Sequence, residues 1–302
     1  MASHPPVDLD AYCARIGHDG SRAPTLATLG ALLERHAAAI PFEAIDVLLG
    51  RGVDLAPAAL EAKLIGRRRG GYCFEQNGLF KRVLRALGFE VEGLAARVRW
   101  MMPPHAPPGP RTHMALRVAL AGEAWLVDVG FGSCVPTSPL RLRDREPQQT
   151  RHGAFRLTPD GGGLLLEAHI GGEWAPVYRL YAEPQLDVDY EAPNWLTSTH
   201  PRSLFRNELL VARTTPEARL ALLGNRLTIR GADGVVDRRL LTAGQVADCL
   251  AGTFGLPVED DWLPRIREVV SRGDMGGDMG RGMAGRVSRA GTGRPTPQTR
   301  AM

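Results

Sequence analysis

THMALRVALAGEAWLVDVGFG, residues 112–132, reads as two short strands joined at Ala121-Gly122. If the turn has two residues, Leu120 faces Glu123, Ala115 faces Asp128 and His113 faces Gly130. Side chains alternate along a strand, so His113 and Asp128 share a face as diagonal neighbours, roughly 5 to 8 Å apart and within side-chain reach. A three-residue turn would put the acid on the opposite face and break the pair. Asp128 sits inside the apolar run WLVDVGF, where a lone carboxylate is costly to bury, so it calls for a cationic or N–H partner.

Working back from this hairpin, the hydrophobic period changes at Gly88. Before it the chain reads helical. Asp8 caps LDAYCARI, which Gly17 closes; Thr25 caps LATLGALLERHAAAI, with leucines 26, 29, 32 and 33 at helical spacing before Pro41. A third helix is expected around PAALEAKLI. A fourth begins near Cys73, with Phe74, Leu79, Phe80, Val83, Leu84 and Leu87 on one face and Gly88 as its stop.

Beyond Gly88 the period is two: FEVEGLAARVRW, the hairpin, AFRLT, GLLLEAHI and APVYRLY give six or so short strands, a barrel or a sandwich. The proline-rich MMPPHAPPGPR is a loop, and EPQLDVDYEAPNWLTSTHP a polar connection. A mixed region follows, with a hairpin-like RLTIRGADGVVDRRLL and helices near 243–254 and 262–271.

The stretch RRRGGYCFEQNGLF, residues 67–80, places Cys73 in the first turn of the fourth helix, just after Gly70 and Gly71. A helix amino terminus lowers the pKa of a thiol and favours its nucleophilic form. Local context leaves a reactive thiolate and a small core residue equally open. The deciding requirement is a histidine held by an acid, since imidazole takes the thiol proton and a partner fixes its tautomer. His113 and Asp128 meet it. His36, on the polar side of its helix, and His105, His152, His169 and His200 lack an acid in the local pattern and read as surface residues. VGFGS could set backbone amides beside an oxyanion, or simply end a strand tightly.

Composition narrows the setting. The chain has 302 residues, 44% hydrophobic and 23% charged, as in an ordinary globular protein with a substantial core. Its four cysteines, Cys13, Cys73, Cys134 and Cys249, contain no CxxC pair, against both a disulfide framework and a zinc site. No secretory signal and no apolar run of about 18 residues are visible, which reads as a cytoplasmic protein with no membrane partner. The sequence pI is 9.1. Its source is local: residues 271–302 carry six arginines against Asp274 and Asp278, the whole net charge of +4. That Gly/Arg/Met-rich tail lacks apolar periodicity and reads as disordered, and no aromatic residue interleaves its arginines, which argues against nucleic acid.

RGGYCFEQN, followed by THMALRV and DVGFG, resembles the arylamine N-acetyltransferases, and the likeness extends from YCARIG and IPFEA through WLTSTHPRSLF, roughly residues 8–270. The resemblance implies an α+β fold with a cysteine-protease-like arrangement: an N-terminal helical bundle (1–89) carrying the nucleophile, a central antiparallel β-barrel (90–205) carrying His and Asp, and a C-terminal α/β lid (206–270). It implies a catalytic triad of Cys73, His113 and Asp128, and a two-step exchange: the thiolate takes acetyl from acetyl-CoA, then an arylamine, hydrazine or similar amine removes it. Acetyl-CoA is then a cosubstrate, with no tightly bound cofactor. Phe42 and Phe131 correspond to apolar walls of the acceptor pocket, and Thr112, Gly130 and Gly132 to the path of the pantetheine arm. Glu43 is expected to pair with Arg69, with Arg67 and Arg68 solvated. Where the family usually has Asn after PFE this chain has Ala44, which implies a missing hydrogen bond near the bundle interface. An amide synthase acting on a polyketide-like chain, a transglutaminase-like cysteine hydrolase and a non-enzymatic binding protein are the alternatives.

Overall fold

The computed structural model describes residues 6–103 and 105–275. Helix α1 (Leu9–Ile16) is capped by the Asp8 carboxylate accepting from Ala11 N, and α2 (Leu26–Ala39) by Thr25 accepting from Thr28 N. A two-residue strand β1 (Phe42–Glu43) follows Pro41, then the short helices α3 (Ile45–Leu48) and α4 (Pro57–Glu61), the latter running into a π-helical turn over 62–66. Helix α5 (Cys73–Ala86) buries the face the sequence marks out, including Phe74, Leu79, Phe80, Val83 and Leu84.

Eight strands then form one antiparallel sheet: β2 (Glu90–Val98), β3 (His113–Leu120), β4 (Glu123–Val127), β5 (Leu140–Arg141), β6 (Gln148–Thr150), β7 (Gly153–Asp160), β8 (Gly163–Ile170) and β9 (Glu173–Gln185). The spatial order is β5-β4-β3-β2-β9-β8-β7-β6. The end strands β5 and β6 meet through a side chain: the Gln148 amide accepts from Arg141 N at 2.7 Å and donates to Arg141 O at 3.1 Å. The sheet curls into a nearly closed barrel, which settles barrel over sandwich.

Helix α6 (Glu191–Thr199) lies in the stretch read from sequence as a polar connection, and the short α7 (Leu204–Asn207) just beyond it. Asn194 holds α6 in place, bonding the Tyr72 hydroxyl and Val53 O. Strands β10 (Leu210–Thr214), β11 (Ala218–Leu223), β12 (Arg226–Gly231) and β13 (Val236–Leu240) make a second antiparallel sheet, with α8 (Ala243–Gly252) and α9 (Leu263–Met275) packed on it. The sequence pattern identified only the β12–β13 hairpin. The edge partner of β10 is β1, from the helical segment, and Phe42 also makes a parallel bridge to Gly71. Through β1 the second sheet reaches the turn that precedes Cys73. Helix α9 runs to Met275, past the boundary at 271 set for the tail; the expectation of disorder over 276–302 lies outside the described residues.

Three apolar clusters result. One lies between the helices and the β2–β4 face, one between the second sheet and α8–α9, and one inside the barrel around Phe155, Leu166 and Val177.

Candidate active site

Helix α5 opens at Cys73 because Gly70 and Gly71 bring the chain in where no side chain fits. A Cβ on Gly70 would stand 2.1 Å from Pro41 O, and one on Gly71 2.9 Å from the Glu75 side chain. Glu75 accepts the Tyr72 backbone N–H at 3.0 Å, capping the helix start. Cys73 is buried, at 5% exposure, and its Sγ lies 3.6 Å from Thr112 O. Thr112 thus meets the cysteine through its backbone.

The hairpin takes the two-residue turn: Leu120 pairs with Glu123, and Ala121 and Gly122 both have positive φ. Pairing stops at Leu116–Val127, so Asp128 lies just past the end of β4 and not within a continuing ladder. There its Oδ2 takes a 2.7 Å hydrogen bond from His113 Nε2. Its Oδ1 accepts from Asn77 Nδ2 at 2.9 Å and from Gly130 N at 2.8 Å. The carboxylate is wholly buried yet fully partnered, as its place in an apolar run requires.

With Nε2 committed to Asp128, Nδ1 is the ring nitrogen free for the sulfur, and His113 and Cys73 interact directly. Burial alone would make His113 hard to protonate. The Asp128 carboxylate and the cysteine outweigh it, and its pKa is raised to about 10. The imidazole is clamped by the Phe131 ring, edge-on with centroids 5.0 Å apart, and by Tyr178 at 4.8 Å.

Asn77 and Tyr178 escaped the sequence reading. Asn77 lies four residues after Cys73 on the same face of α5; it donates to Met114 O and Asp128 and accepts from Val129 N, tying the helix to both hairpin strands. The i, i+4 spacing from the cysteine was its available signal. Tyr178, on β9, reaches the site only because β9 pairs with β2, which no local pattern reports. Its hydroxyl is buried, and Asp128 helps hold its pKa well above the ordinary value after burial itself.

Of the remaining candidates, Gly130 is packed against α5: a Cβ there would lie 2.7 Å from Cys73 Cα and 2.8 Å from Asn77 Nδ2. Gly132 has φ +74° and leaves room for the Phe42 ring. Phe42 packs in the main core and against Phe205 at 5.9 Å. The cavity lined by Phe42, Val129 and Gly132 is about 10 Å³, room for a single water.

One expectation needs correction, and another is borne out within a larger network. His36 is completely buried, its Nδ1 bonded to the Tyr12 hydroxyl at 2.8 Å and its Nε2 to Gln76 Oε1 at 3.1 Å. Burial lowers its pKa to about 3. Glu43 and Arg69 do pair, at 2.8 Å, but within a larger network: Asp46 reaches Arg69 at 3.2 Å and Lys63 at 2.7 Å, and Lys63 reaches Glu75 at 2.7 Å. Arg67 and Arg68 are exposed. Ala44 supplies no cap to α3, but Glu43 Oε2 accepts from Ile45 N at 2.8 Å, so that N–H has a partner.

Comparison with known proteins bears on this arrangement. Residues 25–263 match the model of a family described as N-acetyltransferase. An arylamine N-acetyltransferase of Mycolicibacterium smegmatis is 45% identical over 271 residues, covering 87% of this chain and 98% of the relative. The chain belongs to the arylamine N-acetyltransferase family. Membership makes it an acyltransferase. The Escherichia coli member is 41% identical over 254 residues, covering 83% of this chain and 90% of that one. A Mycobacterium marinum arylamine N-acetyltransferase solved in complex with CoA superposes with a TM-score of 0.84 at 42% identity, covering 87% of this chain and 99% of that chain. Among the described residues no helix is long and apolar enough to cross a membrane, and no His/Cys/Asp/Glu group is placed to hold a metal.

Proposed function

We propose that the protein acetylates arylamines, arylhydrazines or similar amines from acetyl-CoA by a two-step exchange through an acetyl-cysteine at Cys73. Acetyl transfer from acetyl-CoA follows from family membership and from the CoA complex of the Mycobacterium marinum relative. The observation carrying the cysteine mechanism is the continuous line Asp128–His113–Cys73 at the start of α5, with an imidazole that stays protonated through neutral pH.

In this reading the Cys73 proton already rests on His113 Nδ1, and the thiolate paired with that imidazolium attacks the thioester carbonyl of acetyl-CoA. The free N–H groups of the first turn of α5 lie beside the charge that develops. Collapse of the tetrahedral intermediate breaks the carbon–sulfur bond to CoA, whose sulfur takes the proton back from His113. One thioester has replaced another, so loading needs no other energy source. The amine then attacks the acetyl carbon, gives its proton to His113, and leaves as the amide while the Cys73 thiolate is restored. Phe42 and Phe131 wall the acceptor site in this proposal, and Thr112, Gly130 and Gly132 border the pantetheine path. The cytoplasm supplies acetyl-CoA and keeps the thiol reduced.

Intact mass after incubation with acetyl-CoA alone tests the reading. One acetyl adduct on the wild type, absent from Cys73→Ala and discharged by an added arylamine, is expected. No adduct would refute it in favour of another acyl donor, and rapid loss to water in favour of a hydrolase.

A further inference from the structure

Phe42 is joined to the turn before Cys73 by two backbone hydrogen bonds: Gly71 N donates to Pro41 O at 3.3 Å, and Glu43 N donates to Gly71 O at 3.1 Å. Gly71 belongs to no strand, so this bridge stands isolated from any ladder on its side. A side chain reinforces it. Gln76, in the first turn of α5, spends both hydrogens of Nε2 on the bridge carbonyls, Gly71 O at 2.7 Å and Pro41 O at 3.3 Å. Each carbonyl oxygen has two lone pairs and takes one backbone and one side-chain donor.

Which end of the Gln76 amide faces the bridge is set by a chain of one-way bonds. Carbonyls only accept, so Nε2 faces them and Oε1 turns to His36 Nε2 at 3.1 Å. Oε1 also only accepts, so His36 carries its hydrogen on Nε2, and its bare Nδ1 takes the Tyr12 O–H at 2.8 Å. Tyr12, His36 and Gln76 are each 0% exposed, so no water substitutes for a lost partner. Phe80, one turn along α5 from Gln76, stands edge-on to the imidazole with centroids 5.2 Å apart and holds its plane. A reversed amide would set Oε1 against two carbonyl oxygens and face its NH2 toward the N–H of His36. The chain thus runs from α1 through α2 to the carbonyls that hold Phe42 beside the Cys73 turn.

We propose that His36 is a positioning residue for the acceptor step: through Gln76 it fixes the Phe42 segment against the Cys73 turn and thereby sets amine affinity. The inference rests on the acetyl-cysteine reading, with Phe42 as a wall of the acceptor site. Alignment of Cys73 with His113 is secured separately, by Asn77 bonding Met114 O, Asp128 and Val129 N from the same helix. Loosening the relay therefore moves the wall and leaves the triad in place.

The test loads the full chain with acetyl-CoA, removes the excess, and follows discharge of the adduct by aniline with rapid-quench intact mass. Gln76→Met keeps the length of the side chain without its donors. It should raise the half-saturating aniline concentration about tenfold, the value of one net hydrogen bond, while acetylation and the limiting discharge rate stay within about threefold of wild type. Tyr12→Phe frees His36 Nδ1 and should raise the same concentration by about threefold. Because both act through one amide, the double variant should match Gln76→Met alone. A merely structural loss would lower the fraction of chains acetylated without moving half-saturation. If Gln76→Met does not fold, Tyr12→Phe carries the comparison. An unchanged half-saturating concentration, an equal fall in acetylation and discharge, or additive effects in the double variant would each overturn the proposal while the acetyl-cysteine reading stands. A wild type that takes no acetyl group would refute that reading, and this inference with it.

Discussion

Replacing Gly130 by alanine tests whether the fit between hairpin and helix sets the chemistry. The added Cβ would meet Cys73 Cα at 2.7 Å, Asn77 Nδ2 at 2.8 Å and Cys73 O at 3.1 Å. Carbon atoms in ordinary contact stand about 3.5 to 4.0 Å apart, so Gly130 and the α5 backbone must separate by about 0.8 Å or more. Two of the three obstructing atoms are backbone and cannot rotate away. Gly130 N also donates to Asp128, so the retreat carries the carboxylate and the imidazole bonded to it away from the sulfur. A misplacement near 1 Å costs about a hundredfold in rate, and overpacking about 1 to 3 kcal/mol in stability. Gly130→Ala should therefore acetylate Cys73 about a hundredfold more slowly in single-turnover intact-mass measurements with saturating acetyl-CoA, and should melt a few degrees lower. Gly244→Ala, where a Cβ meets nothing within 4 Å, is the control and should keep the wild-type acetylation rate, with a melting temperature no lower than wild type because alanine favours the helix α8 in which it lies. A Gly130→Ala protein with wild-type acetylation rate and melting temperature would refute the reasoning.

Two of the buried histidines give the stability curve opposite arms. His113, raised to about 10 in the fold, contributes fully below its unfolded pKa near 6.5 and loses that contribution as pH rises toward 10; in Asp128→Asn the alkaline decline in melting temperature should be much shallower. His36, lowered to about 3, contributes above pH 6.5 and loses its contribution as pH falls toward 3, a decline that His36→Gln should reduce. Tyr12→Phe strips His36 Nδ1 of its partner and should cost about 1 to 3 kcal/mol by urea denaturation. Glu43→Ala leaves Arg69, at 2% exposure, without its shortest ion pair and removes the acceptor for Ile45 N, an expected loss of about 3 to 5 kcal/mol; an unchanged denaturation midpoint would show that Asp46 suffices as counter-charge.

What the sequence discloses follows from how far each contact reaches along the chain. The start of α5 and the β3–β4 hairpin are legible because their determinants are neighbours: a glycine pair, an apolar face at helical spacing, and a two-residue turn that fixes strand parity. The burial of His36 was also legible, since it follows Leu29, Leu32 and Leu33 on one helical stripe; treating a histidine as polar by default hid it. β1 is different. It has two residues, and its meaning depends on β10, some 170 positions away. Strand β10 offers little alternation of its own, and α6 reads as a polar connection because its hold on the structure is Asn194 bonded to Tyr72 and Val53, not a broad apolar face.

The glycines of RGG and GFG show the same limit from within the site. Read locally, Gly70 and Gly71 ease a turn, and Gly130 is either an oxyanion loop or a strand exit. Each is instead a point where two segments touch without a side chain between them: Gly70 against Pro41 O, Gly71 against Glu75, and Gly130 against Cys73 itself. Residue type marks such a position but does not name the other party. The separation of cysteine and histidine depends on Gly130 and on Asn77, which bonds both hairpin strands from the cysteine's own helix. Conservative changes at these two positions should therefore uncouple acetylation from folding more selectively than changes in the surrounding apolar core, where rate and stability would fall together.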